Sequence, residues 1–324
     1  MYTIEELRDI IQTELEKKEY LEEPFSLFEP IQYIMEDGGK RLRPVLTLMA
    51  YNLYRDDIEK ALKSAIGIEI FHNYTLLHDD VMDDAELRRG KQTVHKKWNS
   101  NVAILSGDAA AITAYKHVES VEDCYLRQVL DGFNQVAMDV CKGQQYDMEF
   151  ETRKQVSEEE YLDMIYLKTS VLIAGSIRHG ALIAGAPQQE CQALYDFGGY
   201  LGLVFQLQDD YLDVYGKVAE FGKKIGGDIL CNKKTYLLIK ALELANQEDK
   251  TNLQAWLTKK EFDPDEKIKA VTSIYDRSGV KEQVIEKIKV YLEKSKMALQ
   301  QLNVPEERKI HFYQMIDVIG GRKK

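Results

Sequence analysis

The sequence has few helix-interrupting residues and no long uninterrupted apolar segment. Only 6 of its 324 residues are proline. Its longest apolar-looking run, residues 171–186, contains Arg178 and His179, whereas a membrane-spanning helix needs about 20 predominantly apolar residues. The N-terminal stretch "MYTIEELRDIIQ" is charged and lacks the apolar centre of a signal peptide. We therefore predict no membrane span and interpret residues 171–186 as a buried helix.

Paired cysteines and an excess of positive charge are also lacking. None of the four cysteines is spaced as Cys-x-x-Cys, which argues against a zinc ribbon or a redox motif. Isolated cysteines are typical of a reducing compartment, so we predict a cytoplasmic protein. The net charge is −11, and because nucleic-acid binding generally needs a basic surface, we predict no nucleic-acid partner.

Strand patterns are scarce as well, and helical patterns dominate. Apolar residues recur at three- and four-residue spacing in residues 61–77, 126–149 and 195–214, which is typical of helices. Thr3-x-x-Glu6 and Ser157-x-x-Glu160 have the form of capping boxes, which open helices. No Ser/Gly-rich linker divides the chain. We predict an all-α fold with a single domain over residues 1–324.

Two acidic motifs follow apolar helical patterns. The first lies in "LLHDDVMDD" and the second in "FQLQDDYLDVYG". Both have the form DDxxD, in which the first and last carboxylates share one helix face. The six aspartates concerned are Asp79, Asp80, Asp83, Asp209, Asp210 and Asp213.

Carboxylates crowded in this way are costly unless something offsets their charge. Like charges four residues apart on a helix repel by a few tenths of a kcal/mol, and partial burial raises that cost. Magnesium removes it, because this ion binds oxygen ligands, typically one or two carboxylates together with substrate phosphates. A single such motif could equally be a solvated helix face, but two copies favour a magnesium–diphosphate site.

Basic residues beside glycines or acidic motifs point in the same direction. A diphosphate needs Lys and Arg donors. The chain supplies them in "GGKRLRP", "ELRRGKQT", "LKTS" and "FGKKIGGDILCNKKT". In a chain of this negative charge, the set indicates phosphate binding more than solubility.

In their order and spacing, these motifs resemble those of the trans-isoprenyl diphosphate synthases of the short-chain polyprenyl synthetase family. The resemblance extends over about residues 25–320 and includes "HNYTLLHDDVMDDAELRRGKQTVH", Gly107-Asp108 and Lys168-Thr169. It implies a helical bundle around a central cavity, a homodimer, and magnesium, with manganese as a substitute. It further implies condensation of isopentenyl diphosphate with an allylic diphosphate (dimethylallyl, geranyl or farnesyl) in a head-to-tail elongation.

The resemblance also implies a role for individual residues. Asp79, Asp83 and Asp209 are expected to bind magnesium directly, and Asp80, Asp210 and Asp213 to support them. The groups expected on the allylic diphosphate are Arg88, Lys168, Thr169, Gln206, Lys223 and Lys233. Those expected on isopentenyl diphosphate are Lys40, Arg43, His72 and Arg89. Asp84 breaks the DDxxD pattern and is not expected to be a ligand.

Product length is expected to depend on side chains about one turn before Asp79. Tyr74 lies five residues before it and Thr75 four. A bulky tyrosine at that point should stop chain growth early. We predict a farnesyl or geranylgeranyl product, and the sequence leaves both open. Ordinary core packing would also explain Tyr74 and is compatible with that role.

Three other functions are compatible with parts of the pattern. A class I terpene cyclase has a DDxxD motif but normally pairs it with an Asn/Ser/Glu motif. A non-catalytic modulating subunit of a heteromeric prenyl diphosphate synthase tends to have lost one aspartate motif, and both are intact here. A cation-binding helical protein without chemistry would leave the basic set without a purpose.

Overall fold

The regular structure of the protein is almost entirely helical. The computed structural model describes residues 1–18, 21–36, 39–216 and 225–321. The helices up to residue 215 are α1 (Ile4–Glu16), α2 (Phe25–Met35), α3 (Leu42–Asn52), α4 (Glu59–Met82), α5 (Val94–Lys97), α6 (Ser100–Val118), α7 (Asp123–Thr152), α8 (Glu158–Ile165), α9 (Val171–Ile183) and α10 (Gln188–Tyr215). The later helices are Gly227–Leu230, Tyr236–Leu244, Gln247–Thr258, Pro264–Arg277, Val280–Gln300 and Glu306–Gly320. The prediction of an all-α fold is confirmed.

Both predicted capping boxes are present. The Thr3 side chain accepts a hydrogen bond from the backbone N–H of Glu6, and Ser157 does the same for Glu160. Each glutamate returns a bond to the backbone of its cap. These reciprocal bonds satisfy N–H groups that a helix start leaves open. Residues 171–183 form the helix α9, and most of them are buried, as predicted.

The chain divides into two compact units, and each contains several separate segments. The first unit consists of Met1–Ala137, Leu172–Tyr195 and Gln301–His311. The second consists of Met138–Val171, Asp196–Gln300 and Phe312–Lys324. No helix of the described residues is both long enough and apolar enough for a membrane crossing.

In the first unit, α4 is the central helix and carries the first aspartate motif at its C-terminal end. It packs mainly against α6 and α3. It is buried on most of its faces, with Ala65, Ile68 and Phe71 in the core. A helix that is apolar nearly all round is one surrounded by other helices. This enclosure fixes the end of α4 and therefore the position of Asp79 and Asp80.

The second unit is built around the end of α10, which carries the second motif. Leu201, Val204 and Leu207 of α10 are fully or almost fully buried. Helix Tyr236–Leu244 packs against Val280–Gln300, Pro264–Arg277 and α8. The aspartates of the second motif therefore lie on a helix that the core of this unit holds in place.

One hairpin interrupts the helices, and the sequence did not predict it. Leu87–Arg88 pairs antiparallel with Lys91–Gln92. Arg89 and Gly90 form the turn with φ of 52° and 82°, as tight hairpin turns with two positive φ values require. With two residues in each strand, the hairpin is too short for an alternating pattern to be visible.

Candidate active site

The first aspartate motif is fixed by an arginine from the hairpin. The Nε–H of Arg88 donates to Asp80 at 2.8 Å, and a terminal N–H donates to Asp79 at 3.2 Å. Asp80 is buried, Asp79 is half-buried and Asp83 is exposed at the C-cap of α4. Burial raises the pKa of the Asp80 carboxyl, and the charge of Arg88 opposes this rise. Of the three carboxylates, Asp80 is thus the most buried one, and it accepts the shorter of the two Arg88 bonds.

The next acidic residue, Asp84, has a different partner. Its carboxylate lies 2.7 Å from Nζ of Lys96 and 3.4 Å from Nε2 of His95. Asp84 itself has a positive φ of 49°. These contacts tie Asp84 to α5 and to the turn after α4.

Three of the four residues predicted for isopentenyl diphosphate form a cationic cluster in the first unit. A terminal N–H of Arg43 lies 3.0 Å from Nε2 of His72. Because arginine only donates, this His72 nitrogen is the acceptor. Burial, and then Arg43 and Arg89, lower the pKa of His72 well below its usual value. His72 is therefore neutral at physiological pH and can orient Arg43.

Arg43 is also poorly satisfied by the protein itself. Its Nε is buried and has no hydrogen-bond partner among the described residues. Burial, and the nearby charge of Arg89, lower the pKa of Arg43 to about 10. Buried donors are normally paired, so an unsatisfied guanidinium beside a second cation is the kind of place an anion occupies.

The segment that begins at Gly39 lies against this cluster. A side-chain carbon at Gly39 would lie 3.2 Å from both terminal nitrogens of Arg89, so the missing side chain lets the guanidinium approach. Lys40, the next residue, is exposed. Arg41 anchors this segment. Its side chain is buried, and its guanidinium pairs with Glu69 of α4 at 2.9 Å. The sequence did not single out Arg41 for a role.

In the second unit, the middle aspartate of the motif is enclosed by uncharged donors. Asp210 is 3% exposed. It accepts hydrogen bonds from the Tyr161 hydroxyl, from the backbone N–H of Tyr236 at 3.2 Å and from the Gln206 amide at 3.3 Å. Burial raises the pKa of Asp210 to about 7 even though the hydrogen bonds from Tyr161 and Gln206 oppose the rise. Asp209 and Asp213 remain half-buried.

Two predicted phosphate-binding residues lie on an irregular turn of the same unit. Residues Tyr166–Ser170 form a π-helical turn between α8 and α9, a feature often found at functional sites. It carries Lys168 and Thr169, and the Thr169 hydroxyl lies 3.3 Å from Oε1 of Gln206. The structure therefore brings Thr169, Gln206 and Asp210 into one hydrogen-bonded chain.

Lys168 has an acidic partner that sequence reasoning missed. Its Nζ lies 2.5 Å from Oδ2 of Asp147 on α7. Gly143, one turn earlier on α7, packs so closely on the backbone of Lys168 that no side chain fits there. In the sequence, this pair is visible only as Gly143 four residues before Asp147. Nothing near Asp147 in the sequence links that aspartate to Lys168.

A further aspartate completes the second group. The backbone N–H of Asp228 donates to Asp213 at 3.0 Å, and the charge of Asp228 contributes to the raised pKa of Asp210. Lys233 is exposed, and its positive charge lowers the pKa of Asp210 in part. Lys223, also predicted to bind the allylic diphosphate, lies outside the described residues.

The donor set fits magnesium that binds together with its substrate. Among the residues that the structure describes, no three His, Cys, Asp or Glu side chains are grouped closely enough to hold a metal by themselves. Magnesium needs no such group, since it is usually held by one or two carboxylates and substrate phosphates. Each unit, taken by itself, supplies half-buried hard oxygen donors of the required kind: Asp79 in the first unit, and Asp209 and Asp213 in the second.

Tyr74, predicted to limit product length, belongs to an aromatic group of the first unit. Its ring lies 5.4 Å from that of Phe71 and 4.8 Å from that of His78, measured between centroids. Phe71 in turn contacts Phe133 of α7 at 5.0 Å. The Thr75 hydroxyl donates to the backbone of His72 at 2.8 Å. Tyr74 is thus one of several rings that fill this region.

Comparison with known proteins assigns the chain to a family. The family model for polyprenyl synthetase matches residues 25–275, and the chain belongs to that family. A short chain isoprenyl diphosphate synthase of Methanocaldococcus jannaschii is 40% identical over 260 residues, which cover 80% of this chain and 79% of that protein.

Solved structures agree with this assignment. The crystal structure of a geranylgeranyl pyrophosphate synthase superposes with a TM-score of 0.94 at 43% identity and covers 100% of both chains. A geranylgeranyl pyrophosphate synthase from Corynebacterium glutamicum, solved with isoprenyl diphosphate and magnesium, has a TM-score of 0.86 at 27% identity over 98% of both chains. The resemblance inferred from the motifs is confirmed.

Proposed function

We propose that the chain is a trans-prenyltransferase that condenses isopentenyl diphosphate with an allylic diphosphate to give a short-chain all-trans prenyl diphosphate. The observation that carries this proposal is the polyprenyl synthetase match over residues 25–275 in a chain whose two aspartate motifs are both intact. The names of the similar proteins, which are short-chain and geranylgeranyl synthases, support it.

The proposed reaction makes one carbon–carbon bond. The bond between C1 of the allylic substrate and its diphosphate oxygen breaks, and the electron pair leaves with the diphosphate. The double bond of isopentenyl diphosphate attacks the allylic cation at C1. Loss of a proton then restores a double bond. The products are a prenyl diphosphate longer by five carbons, inorganic diphosphate and a proton.

Each group of residues has a role in this proposal. Lys40, Arg43 and Arg89 bind isopentenyl diphosphate, and neutral His72 orients Arg43 through the 3.0 Å contact. The allylic diphosphate is bound by Arg88, Lys168, Thr169, Gln206, Lys223 and Lys233. These fixed positive charges and donors stabilise negative charge as the diphosphate leaves.

Magnesium is the proposed cofactor, with manganese as a substitute. Asp79, Asp83 and Asp209 would hold it, and Asp80, Asp210 and Asp213 would support those ligands. When bound, the metal supplies positive charge that stabilises the departing diphosphate. Asp80 and Asp210 are the most deeply buried aspartates of their motifs, which favours supporting roles for both.

A turnover assay tests the function. Labelled isopentenyl diphosphate is supplied with dimethylallyl, geranyl or farnesyl diphosphate and magnesium, and the extracted products are separated by chain length. We expect incorporation with at least one primer and a farnesyl or geranylgeranyl product. No turnover with any primer would contradict the proposal and favour the modulating-subunit or binding-protein alternatives. Cyclic hydrocarbon from a primer alone would favour a terpene cyclase.

Product length is proposed to depend on Tyr74, with Thr75 beside it. Replacing Tyr74 by alanine removes a ring from the aromatic group and leaves room for a longer chain. We expect Tyr74→Ala to shift the products, separated by reversed-phase chromatography, toward longer chains. Tyr74→Phe keeps the ring and should leave the distribution unchanged, whereas an unchanged distribution in Tyr74→Ala would show that this ring does not limit the product.

A homodimer and a cytoplasmic location complete the proposal. Helix α6 leaves Ile104, Leu105 and Ile112 exposed by 46%, 60% and 61%, and apolar side chains exposed on one helix are often covered by a partner. Sedimentation velocity should give the mass of two chains, and a single-chain mass at assay concentration would contradict the dimer. All four cysteines are free thiols, which fits a reducing compartment.

A further inference from the structure

A lysine of the second unit is completely buried. Lys267, on helix Pro264–Arg277, has 0% of its surface exposed. Among the residues that the structure describes, no carboxylate forms an ion pair with it. Lysines are almost never fully buried unless they are paired. A charge in this position therefore calls for an explanation.

The described partners of Lys267 lie at the end of helix Gly227–Leu230, in the turn after it, and just before helix Pro264–Arg277. Its Nζ donates to the backbone carbonyl of Leu230 at 3.1 Å and to Oδ1 of Asn232 at 2.7 Å. It also lies 4.1 Å from the centroid of the Phe262 ring. One ammonium group thus holds two acceptors, two residues apart, on the same turn.

This turn needs such a clamp because its backbone is unusual. Asn232 has a φ of 56°, in the left-handed region that costs most residues energy. Its amide also donates to the carbonyl of Leu257 at 3.2 Å. Lys267 and the carbonyl of Leu257 thereby both hold the Asn232 side chain. The chain reverses here, and the backbone N–H of Lys233 donates to the carbonyl of Asp228 at 2.9 Å.

The segment on either side of the turn is attached to the second aspartate motif. Before the turn, the backbone N–H of Asp228 donates to the side chain of Asp213 at 3.0 Å. After it, the backbone N–H of Tyr236 donates to Asp210 at 3.2 Å. Between these two attachments lies Lys233, whose backbone position is set by the turn that Lys267 holds.

We propose that Lys267 is a positioning residue for allylic diphosphate binding: its buried ammonium group fixes the turn at Leu230–Asn232 and thereby places Lys233. This inference rests on the proposed function, which assigns Lys233 to the allylic diphosphate. Lys267 itself does not touch substrate, because its ammonium group is enclosed by protein.

The experiment compares Lys267→Met with a matched buried lysine. Lys309 is 3% exposed and pairs with Glu306 of its own helix at 2.7 Å, so Lys309→Met controls for the loss of a buried ammonium group. We expect Lys267→Met to raise the KM for the allylic diphosphate by about 10-fold or more, since small displacements of binding groups have large effects on substrate handling. The KM for isopentenyl diphosphate should stay within about twofold, because its proposed ligands are in the first unit.

A second pair of variants covers the case in which Lys267→Met does not fold. Asn232→Gly tolerates the left-handed backbone but removes the acceptor for Lys267, whereas Asn232→Asp keeps an acceptor oxygen. Asn232→Gly should raise the allylic KM and Asn232→Asp should largely restore it. An allylic KM in Lys267→Met equal to that in Lys309→Met, or no difference between the two Asn232 variants, would overturn the inference.

A binding measurement separates this inference from the proposed function. Absence of turnover by the wild-type protein would count against the function alone. Calorimetric titration with inorganic pyrophosphate and magnesium then tests the positioning role directly. Weaker binding by Lys267→Met, again by about 10-fold, with unchanged binding by Lys309→Met, supports the role, and equal binding by both variants overturns it.

Discussion

The second aspartate of the first motif faces a guanidinium, whereas the second aspartate of the second motif is surrounded by uncharged donors. Asp80 pairs with Arg88 at 2.8 Å. Asp210 accepts its bonds from a tyrosine hydroxyl, a backbone N–H and a glutamine amide. Both carboxyls are buried, and burial raises the pKa of each.

The difference shows that the same DDxxD pattern can place its middle carboxylate in two different electrostatic environments. At Asp80 the opposite charge favours the ionised form. At Asp210 the neutral donors do not outweigh desolvation, and the pKa rises to about 7. In both motifs the outer aspartates are left more accessible than the middle one. The middle aspartate of each motif is therefore the enclosed one, and the proposed metal ligands Asp79, Asp83 and Asp209 are all outer aspartates.

The largest effect is expected from the first aspartate of either motif. Asp79→Ala and Asp209→Ala each remove a proposed metal ligand, and turnover should fall by roughly 100- to 1,000-fold or more, the scale seen when transition-state charge stabilisation is lost. Steady-state kinetics at saturating magnesium provide the measurement. Asp131→Ala, at an exposed surface ion pair with Arg127, is the control and should retain wild-type turnover. If Asp209→Ala kept full activity, the two motifs would not share the same role.

A smaller loss of turnover is expected when the middle aspartate of either motif is replaced. The loss of stability should differ between the two motifs. Turnover should fall by about 10- to 100-fold in Asp80→Asn and in Asp210→Asn, as for other groups that orient metal ligands. Thermal unfolding should separate the two variants. Asp80→Asn removes the closer of the two carboxylates that pair with the partly exposed Arg88 and leaves it the longer contact with Asp79 at 3.2 Å, so we expect a loss of roughly 1–2 kcal/mol.

Asp210→Asn should cost less stability than Asp80→Asn, because its single amide oxygen can still accept from the neutral donors Tyr161 and Tyr236, and only the bond from the Gln206 amide is lost. We expect a loss of less than about 1 kcal/mol. Equal losses in the two variants would show that the charge of the partner makes no difference, and the comparison between the motifs would fail.

The smallest effect on function is expected at His179. This residue tests, away from both motifs, how burial changes the pKa of an ionisable side chain. His179 is buried, and its Nε2 lies 2.6 Å from the Ser64 hydroxyl. Burial lowers its pKa to about 4. The unfolded chain takes up the proton near pH 6.5 and the folded chain only near pH 4, so stability is fully present above pH 6.5 and is lost as the pH falls toward 4.

The measurement is the free energy of unfolding by urea at several pH values. Between pH 6.5 and 4, His179 should account for a loss on the order of 1–3 kcal/mol. His179→Asn should flatten this part of the profile without changing turnover at neutral pH. An unaltered slope in His179→Asn would argue against a neutral buried imidazole.

Much of the fold could be predicted because its determinants are local. The three- and four-residue spacing of apolar side chains predicted the helix that carries Asp79 and the helix that carries Asp209. The capping residues Thr3 and Ser157 marked helix starts correctly. The hairpin was missed, because two strands of two residues contain no periodicity.

The partners within the site depend on packing and could not be predicted from spacing. Tyr161 lies 49 residues before Asp210, and Asp147 lies 21 residues before Lys168. Nothing in either local sequence identifies the other member of the pair. Lys267 reads as an ordinary charged residue of an amphipathic helix, and only its complete burial reveals a different role.

We propose that the two aspartate motifs serve a magnesium-dependent prenyl transfer. The most direct test is incorporation of labelled isopentenyl diphosphate into extractable prenyl diphosphate by the purified protein, with an allylic primer, as magnesium is titrated from zero. We predict no incorporation after chelation, a saturable rise with magnesium, and loss of that rise in Asp79→Ala. Incorporation that persists without divalent metal, or that Asp79→Ala leaves intact, would contradict the account.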